Sequence, residues 1–122
     1  MNPSSASENI DRTVRPWGWF ETLSEVPGHK IKRIRVLPGQ QISLQKHHQR
    51  AEHWVVVQGQ AHILIGSRAL DLGVGQHVDI AQGELHRLAN LTQAPLEIVE
   101  VQFGTYLGED DIERMSDDYG RT

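Results

Sequence analysis

Closely spaced glycines divide the middle of this chain into segments that are too short for ordinary helices. The glycines concerned are Gly59, Gly66, Gly73, Gly75 and Gly83. The runs between them, such as residues 61–65 and 77–80, are rich in isoleucine and valine. Many short β-prone runs separated by glycine turns are typical of an antiparallel sandwich or barrel. We therefore predict an all-β fold of antiparallel strands.

The 122 residues suit a single domain. Residues 1–14 are polar and are predicted to form a flexible N-terminal tail. The domain proper is expected over residues 15–122. The aromatic residues between positions 15 and 20 are predicted to form a lid or edge segment at one end of the barrel. A short C-terminal helix is predicted over residues 108–119, because acidic residues at 109–111 would favour a helix N-terminus.

Composition excludes several classes of function. The net charge of −4 disfavours a nucleic-acid-binding surface, which needs clustered basic residues. The chain has no cysteine, so disulfides and thiolate metal sites are excluded. The N-terminus lacks an apolar run, so neither a signal peptide nor a membrane span is visible. A cytoplasmic protein is expected.

A dense cluster of possible metal ligands occupies residues 47–53. It contains three histidines, together with Gln49, Arg50 and Glu52, and His86 follows further along the chain. Imidazole and carboxylate groups commonly bind zinc, manganese and iron. Residues 42–49 are predicted to form a strand, on which Ser43, Gln45, His47 and Gln49 share one face. His48 and His53 would point away from that face, and His29, His62 and His77 are predicted to be surface residues.

The spacing of this cluster resembles the two motifs of the cupin superfamily. Six residues separate Glu52 from Gly59, as in the first motif, with Gln49 at a position where a second histidine is usual. The segment from Gly75 to Asn90 matches the second motif around His86, with alanine replacing its proline. The resemblance implies a single cupin jelly-roll barrel with a polar site in its lumen.

Landmarks along most of the chain are similar to one group of cupins, the type II mannose-6-phosphate isomerase domain. These landmarks are Arg-Pro-Trp-Gly at 15–18, Ser-Leu-Gln at 43–45, Arg-Ala-Glu-His-Trp at 50–54, Glu-Ile-Val-Glu-Val-Gln at 97–102, Tyr-Leu-Gly-Glu-Asp-Asp-Ile at 106–112 and Asp-Asp-Tyr-Gly-Arg at 117–121. In most members of this family the domain follows a mannose-1-phosphate guanylyltransferase domain. No such domain is present in this sequence, so that activity is not carried over.

The resemblance implies a set of site residues. The metal ligands would be His47, Gln49, Glu52 and His86. Zinc or manganese would be the metal, with iron and cobalt as alternatives. The catalytic and substrate-binding residues would be Glu100, Arg50, Arg114 and Arg121.

The implied reaction is interconversion of mannose 6-phosphate and fructose 6-phosphate, which supplies precursors of sugar nucleotides and polysaccharides. Glu100 is the candidate base, because it is a strand carboxylate that the metal would not use. Lys32 is an alternative base. The arginines would hold the phosphate group of the sugar, because guanidinium pairs bidentately with phosphate.

Other interpretations remain open at this point. The histidines and Glu52 could be hydrogen-bonded barrel residues, and Arg114 and Arg121 could form surface salt bridges with Asp110 or Asp117. The domain could bind a sugar or nucleotide sugar without turnover, or it could be an iron-dependent cupin oxygenase. From the resemblance we also expect a homodimer, because pairing would protect sheet edges.

Overall fold

The computed structural model describes residues 11–120, and within that range the chain is entirely β-structure, turns and loops. The eleven strands are β1 (Arg12–Arg15), β2 (Gly18–Val26), β3 (His29–Val36), β4 (Leu44–Lys46), β5 (Arg50–Gln58), β6 (Ala61–Ile65), β7 (Arg68–Leu72), β8 (His77–Ile80), β9 (His86–Ala89), β10 (Leu96–Gly104) and β11 (Glu113–Ser116).

The strands form two antiparallel sheets. The six-stranded sheet has the order β1-β2-β3-β10-β5-β8, and the five-stranded sheet has the order β11-β4-β9-β6-β7. Neighbours such as β10 and β5 are distant in sequence, as expected when strands cross between the sheets of a jelly roll. The predicted all-β, antiparallel cupin barrel is confirmed.

The inward faces of β3, β5 and β10 change from apolar to polar along the barrel. At one end, Leu96 pairs with Val36, and both are fully buried. Two residues further along β10, Ile98 lies opposite Val56 of β5. The next inward positions are polar, and they are Glu100, Gln102, Glu52, Lys32 and Lys30. The register therefore places a conventional core at one end of the barrel and a group of buried polar side chains at the other.

The predicted C-terminal helix is wrong. Residues 113–116 form β11, which pairs with β4 at the edge of the five-stranded sheet. The acidic residues that suggested a helix start have other partners. Glu109 pairs with Lys32, and the Asp111 carboxylate accepts hydrogen bonds from the backbone of residues 48 and 49.

The N-terminal boundary also differs from the prediction. Residues 12–14, which were assigned to the tail, belong to β1 and pair with β2, because the edge of β2 offers free backbone groups to Arg12–Arg15. Residues 1–10 lie outside the described part of the chain.

Trp17, in the predicted lid segment, belongs to the buried core, and Phe20 packs against that core.

Two motif residues have structural roles. Gly59 has a φ of +79°, and a Cβ atom there would lie 2.3 Å from the carbonyl oxygen of Pro95, so only glycine fits this turn. The fully buried Asn90 donates to the carbonyls of Val36 and Ala94 and accepts two hydrogen bonds from Thr92.

Among residues 11–120 there is no helix that could cross a membrane.

Candidate metal centre

Three buried side chains from separate segments of the chain converge at the polar end of the barrel. His47 follows the last residue of β4, Glu52 lies on β5, and His86 begins β9. One potential ligand atom from each lies within 4.8 Å of the other two. The His47 Nε2 atom is 3.2 Å from Glu52 Oε2, and His86 Nε2 is 4.0 Å from Glu52 Oε1. Both sheets thus contribute to one cluster of two imidazoles and a carboxylate.

The Nδ1 hydrogen bonds of the two histidines leave both Nε2 atoms unprotonated, and His47 Nε2 lies 3.2 Å from the Arg50 Nη2 donor, a contact that a metal ion would replace. The Nδ1 atom of His47 lies 2.6 Å from the Asp111 carbonyl oxygen, and His86 Nδ1 lies 2.9 Å from that of Glu84. A carbonyl oxygen only accepts, so each Nδ1 must carry the proton and each Nε2 presents a lone pair. His86 Nε2 is buried and has no hydrogen-bond partner among the described residues. This donor set and the unpartnered nitrogen fit a divalent metal ion.

Electrostatics keep both imidazoles in the form that binds metal. Burial, assisted by the nearby Arg50 guanidinium, lowers the pKa of His47 to about 4. Burial also lowers the pKa of His86. Histidine must be neutral to coordinate a metal, and both rings are in this neutral form at neutral pH.

Gln49 does not join this cluster, which corrects the predicted ligand set. Strand β4 ends at Lys46, and residues 48 and 49 form an exposed bend. The alternation that links positions 43, 45 and 47 therefore stops before Gln49. The backbone N–H of Gln49 is instead used in a hydrogen bond to Asp111.

Gln45 lies where the sequence prediction placed Gln49. It lines the same cavity as His47, and its side-chain nitrogen lies 3.4 Å from His47 Nε2. The sequence contains a pattern that could have identified Gln45 as a site residue. Gln45 shares a strand face with His47, and the spacing Gln45-x-His47-x4-Glu52 is a compact ligand pattern. The Gln45 amide oxygen accepts a hydrogen bond from Ser43 Oγ at 2.6 Å, so the amide group would have to rotate before this oxygen could serve as a fourth ligand.

Glu100 and Arg50 lie next to the cluster. The Arg50 Nε atom donates to Glu52 Oε2 at 2.8 Å, and its Nη2 lies 3.2 Å from His47 Nε2. The indole Nε1 of Trp54 lies 2.9 Å from Glu52 Oε1 and 3.0 Å from Glu100 Oε2. Burial and the neighbouring Glu52 carboxylate raise the pKa of Glu100 to about 7.

A cavity of about 110 Å³ adjoins these residues. Its positively charged lining residues are Arg15, Lys32, Arg50 and Arg114. The Arg114 Nε and Arg50 Nη1 atoms are both buried and have no hydrogen-bond partner among residues 11–120. Lys32 donates to Glu109 at 2.5 Å, and both line the cavity. Arg121, the remaining predicted site residue, lies outside the described residues.

The other histidines lie away from the cluster. His48 is exposed, and His53 faces outward, where its Nδ1 lies 2.5 Å from Asp79. His62 makes a similar contact with Asp71 on the other sheet. His53 thus faces away from the cluster by the alternation of β5, whereas His48 is exposed because it lies in the bend after β4.

Comparison with known proteins assigns the family. The model of the family "Mannose-6-phosphate isomerase C-terminal" matches residues 2–117. The chain belongs to this family.

Curated relatives agree with this assignment. The chain is 47% identical over 118 residues to the alginate biosynthesis protein AlgA of Pseudomonas aeruginosa, an alignment that covers 97% of this chain and 24% of that protein. It is 49% identical over 111 residues to the xanthan biosynthesis protein XanB of Xanthomonas campestris, covering 91% and 24% respectively. It is 44% identical over 107 residues to the mannose-1-phosphate guanylyltransferase ManC of Salmonella typhimurium, covering 88% and 22%. The chain thus spans about a quarter of the length of these relatives.

Solved structures with low sequence identity share the fold. The capsular polysaccharide assembling protein CapF of Staphylococcus aureus superposes with a TM-score of 0.75 at 19% identity, covering 88% of this chain and 34% of CapF. A double-stranded β-helix protein from Klebsiella pneumoniae gives a TM-score of 0.71 at 21% identity, covering 89% of this chain and 92% of that one. These matches establish the cupin-type architecture of the family member described here.

Proposed function

We propose that this domain interconverts mannose 6-phosphate and fructose 6-phosphate with the help of a divalent metal ion. The observation that carries the proposal is the meeting of His47, Glu52 and His86 beside the buried carboxyl group of Glu100. Membership of the mannose-6-phosphate isomerase family and the polysaccharide-biosynthesis names of the relatives support it.

His47, Glu52 and His86 would hold the metal, with Gln45 as the candidate fourth ligand. Two imidazoles, a carboxylate and an amide oxygen form a nitrogen–oxygen donor set that suits zinc or manganese. Iron and cobalt are the alternatives. The bound metal would supply an electrophile for the sugar oxygen that gains negative charge.

Glu100 is the proposed acid–base group. Isomerisation of the open-chain sugar moves one proton from C2 to C1 and a second from the C2 hydroxyl group to the C1 oxygen, so that the C1 carbonyl becomes a hydroxyl and the C2 hydroxyl becomes a carbonyl. The Glu100 carboxylate would take the proton from C2 of mannose 6-phosphate and return it to C1, so that the carboxylate is regenerated. A pKa of about 7 suits this exchange at neutral pH, because the base and its conjugate acid are then both accessible. The Trp54 N–H holds the Glu100 carboxyl in place.

The phosphate group of the substrate would bind the cationic side of the cavity. Arg114 Nε and Arg50 Nη1 are two buried donors without partners among the described residues. The other donors of Arg50 are occupied by Glu52 and His47, so Arg114 is the better candidate for bidentate pairing with phosphate. Arg121 stays a predicted contributor on the basis of the family resemblance.

One observation favours a second candidate, a domain that binds the sugar without turnover. Both carboxylate oxygens of Glu52 already accept hydrogen bonds, from Arg50 and from Trp54. These hydrogen bonds between protein groups hold the polar cluster together without a metal ion. The oxygenase alternative draws less support, because the cavity lining contains three arginines and a lysine beside its apolar residues, and these cations suit an anionic substrate.

A coupled assay of metal-stripped protein, with zinc, manganese or cobalt added in turn, distinguishes these functions. Isomerase activity predicts fructose 6-phosphate from mannose 6-phosphate with at least one metal, and loss of this activity in Glu52→Gln. The binding function predicts that mannose 6-phosphate raises the unfolding temperature without forming product under any of these conditions. Absence of both product and thermal protection would contradict both functions.

A further inference from the structure

The connection between β10 and β11, residues 105–112, is fastened to the polar end of the barrel. We refer to residues 105–112 as the strap. The carbonyl oxygen of Leu107 accepts a hydrogen bond from buried Lys30 at 2.6 Å, and Glu109 pairs with buried Lys32 at 2.5 Å. The strap also provides Ile112 and Glu109 to the cavity wall. It is therefore part of the site rather than a simple surface loop.

Asp111 makes the most extensive attachment of the strap. Its side chain accepts the backbone N–H of His48 on Oδ1 and that of Gln49 on Oδ2, both at 2.9 Å. Its own carbonyl oxygen accepts the Nδ1 proton of His47 at 2.6 Å. One residue thus binds three consecutive residues of the bend that carries His47. Asp111 is only 7% exposed.

The charge of Asp111 is suited to this role. A carboxylate can accept both N–H groups at once, one on each oxygen. A neutral asparagine would offer one oxygen and would place an NH₂ group against the second amide.

These contacts determine which nitrogen of His47 faces the cluster. The Asp111 carboxylate fixes the bend at residues 48 and 49, and this position brings the Asp111 carbonyl within reach of the ring. The carbonyl in turn holds the proton on Nδ1 and leaves the Nε2 lone pair 3.2 Å from Glu52. Partners that orient a ligating histidine are commonly important for metal affinity.

We propose that Asp111 is a positioning residue of the metal centre, which holds His47 in the orientation and tautomer that present Nε2 to a metal ion. This proposal rests on the metal site of the proposed function. The strap thereby has a role in assembling the centre, in addition to lining the cavity.

The test compares Asp111→Asn with Asp110→Asn. Asp110 is the matched control, because it is the neighbouring acid in the strap, is exposed, and has Tyr106 as its side-chain hydrogen-bond partner. Zinc affinity would be measured by competition with a chromophoric chelator, and nitrogen NMR of the metal-free proteins would report the His47 tautomer. We expect Asp111→Asn to weaken zinc binding about 10- to 100-fold, the range typical for partners of metal ligands. The His47 signal should shift away from the pure Nδ1–H form, while Asp110→Asn leaves both readouts unchanged.

Several results would overturn the proposal. Zinc affinity of Asp111→Asn equal to that of Asp110→Asn would show that Asp111 does not position the ligand. An Nε2–H tautomer of His47 in the unsubstituted, metal-free protein would contradict it even if the variant failed to fold. If the unsubstituted protein bound no divalent metal, the metal centre and this role would both fail. Metal binding without isomerase activity would overturn the proposed reaction alone.

Discussion

Trp54 donates its indole N–H to Glu100 across the register pair that joins β5 to β10, with an Nε1–Oε2 distance of 3.0 Å. The same nitrogen lies 2.9 Å from Glu52, a proposed metal ligand. The proposed base and the proposed metal site are therefore linked through one side chain. Because Trp54 is almost fully buried, this link has little freedom to move.

The first prediction concerns Glu100. Glu100→Gln should lower kcat by about 10²- to 10⁴-fold, the usual contribution of a positioned acid–base group. Zinc affinity should change little, because Glu100 is outside the proposed ligand set. Glu97→Gln is the matched control, since Glu97 lies on the same strand and pairs with Arg35. If kcat of Glu100→Gln were close to that of Glu97→Gln, Glu100 would not be the acid–base group.

The second prediction concerns the histidine ligands. His47→Ala and His86→Ala should each reduce bound zinc or manganese, as measured by elemental analysis after dialysis against limiting metal. His53→Ala should keep its metal, because His53 pairs with Asp79 away from the cluster. Circular dichroism would verify that the variants remain folded. Full metal content in folded His47→Ala and His86→Ala proteins would contradict the proposed centre.

The third prediction separates Gln45 from Gln49. Gln45→His should tighten zinc binding, because imidazole is a better zinc ligand than an amide oxygen and position 45 faces the cluster. Gln49→His should leave the affinity nearly unchanged, because residue 49 is exposed in a bend. Chelator competition on both variants measures the difference. If only Gln49→His bound zinc more tightly, Gln49 rather than Gln45 would be the metal ligand.

The fourth prediction concerns the pH dependence of stability. The pKa of Glu100 is about 7 in the folded protein and about 4.5 when the group is exposed, so the folded state holds this proton more strongly. The stability that Glu100 contributes is therefore fully present below about pH 4.5 and is lost as the pH rises through about 7. Glu100→Gln lacks this dependence.

Denaturant unfolding of metal-free protein at several pH values provides the measurement. The free energy of unfolding of the unsubstituted protein, minus that of Glu100→Gln, should fall between about pH 4.5 and pH 7. The lowered pKa of His47 gives the opposite slope, but it is present in both proteins and largely cancels in the difference. A difference that rises with pH over this range would contradict a raised Glu100 pKa.

The fifth prediction concerns phosphate recognition. Arg114→Ala should raise KM for mannose 6-phosphate more than it lowers kcat, because it removes a guanidinium that lines the cavity. Arg68→Ala is the control, since Arg68 is an exposed residue of β7 outside that lining. Steady-state kinetics at fixed metal concentration test both variants. An unchanged KM for Arg114→Ala would show that other positively charged side chains bind the phosphate group of the substrate.

Short-range patterns predicted much of this fold and part of the site. Strand alternation and glycine turns indicated the all-β architecture, and motif spacing brought His47, Glu52 and His86 together. The prediction for Gln49 came from its position in the resembling motif and from alternation extended past Lys46, where β4 ends. The pairing of β11 with β4 and the contacts of Asp111 join segments more than 60 residues apart, and local sequence carries no signal for them. The homodimer and the cytoplasmic location stay predictions.

Titration of metal-stripped protein with zinc or manganese, while following conversion of mannose 6-phosphate, tests the proposed metal-dependent isomerisation. We expect turnover to rise in proportion to bound metal and to reach its maximum at one ion per domain. His86→Ala should show neither the bound ion nor the turnover. Full occupancy of the site by each metal without formation of fructose 6-phosphate would contradict this proposal.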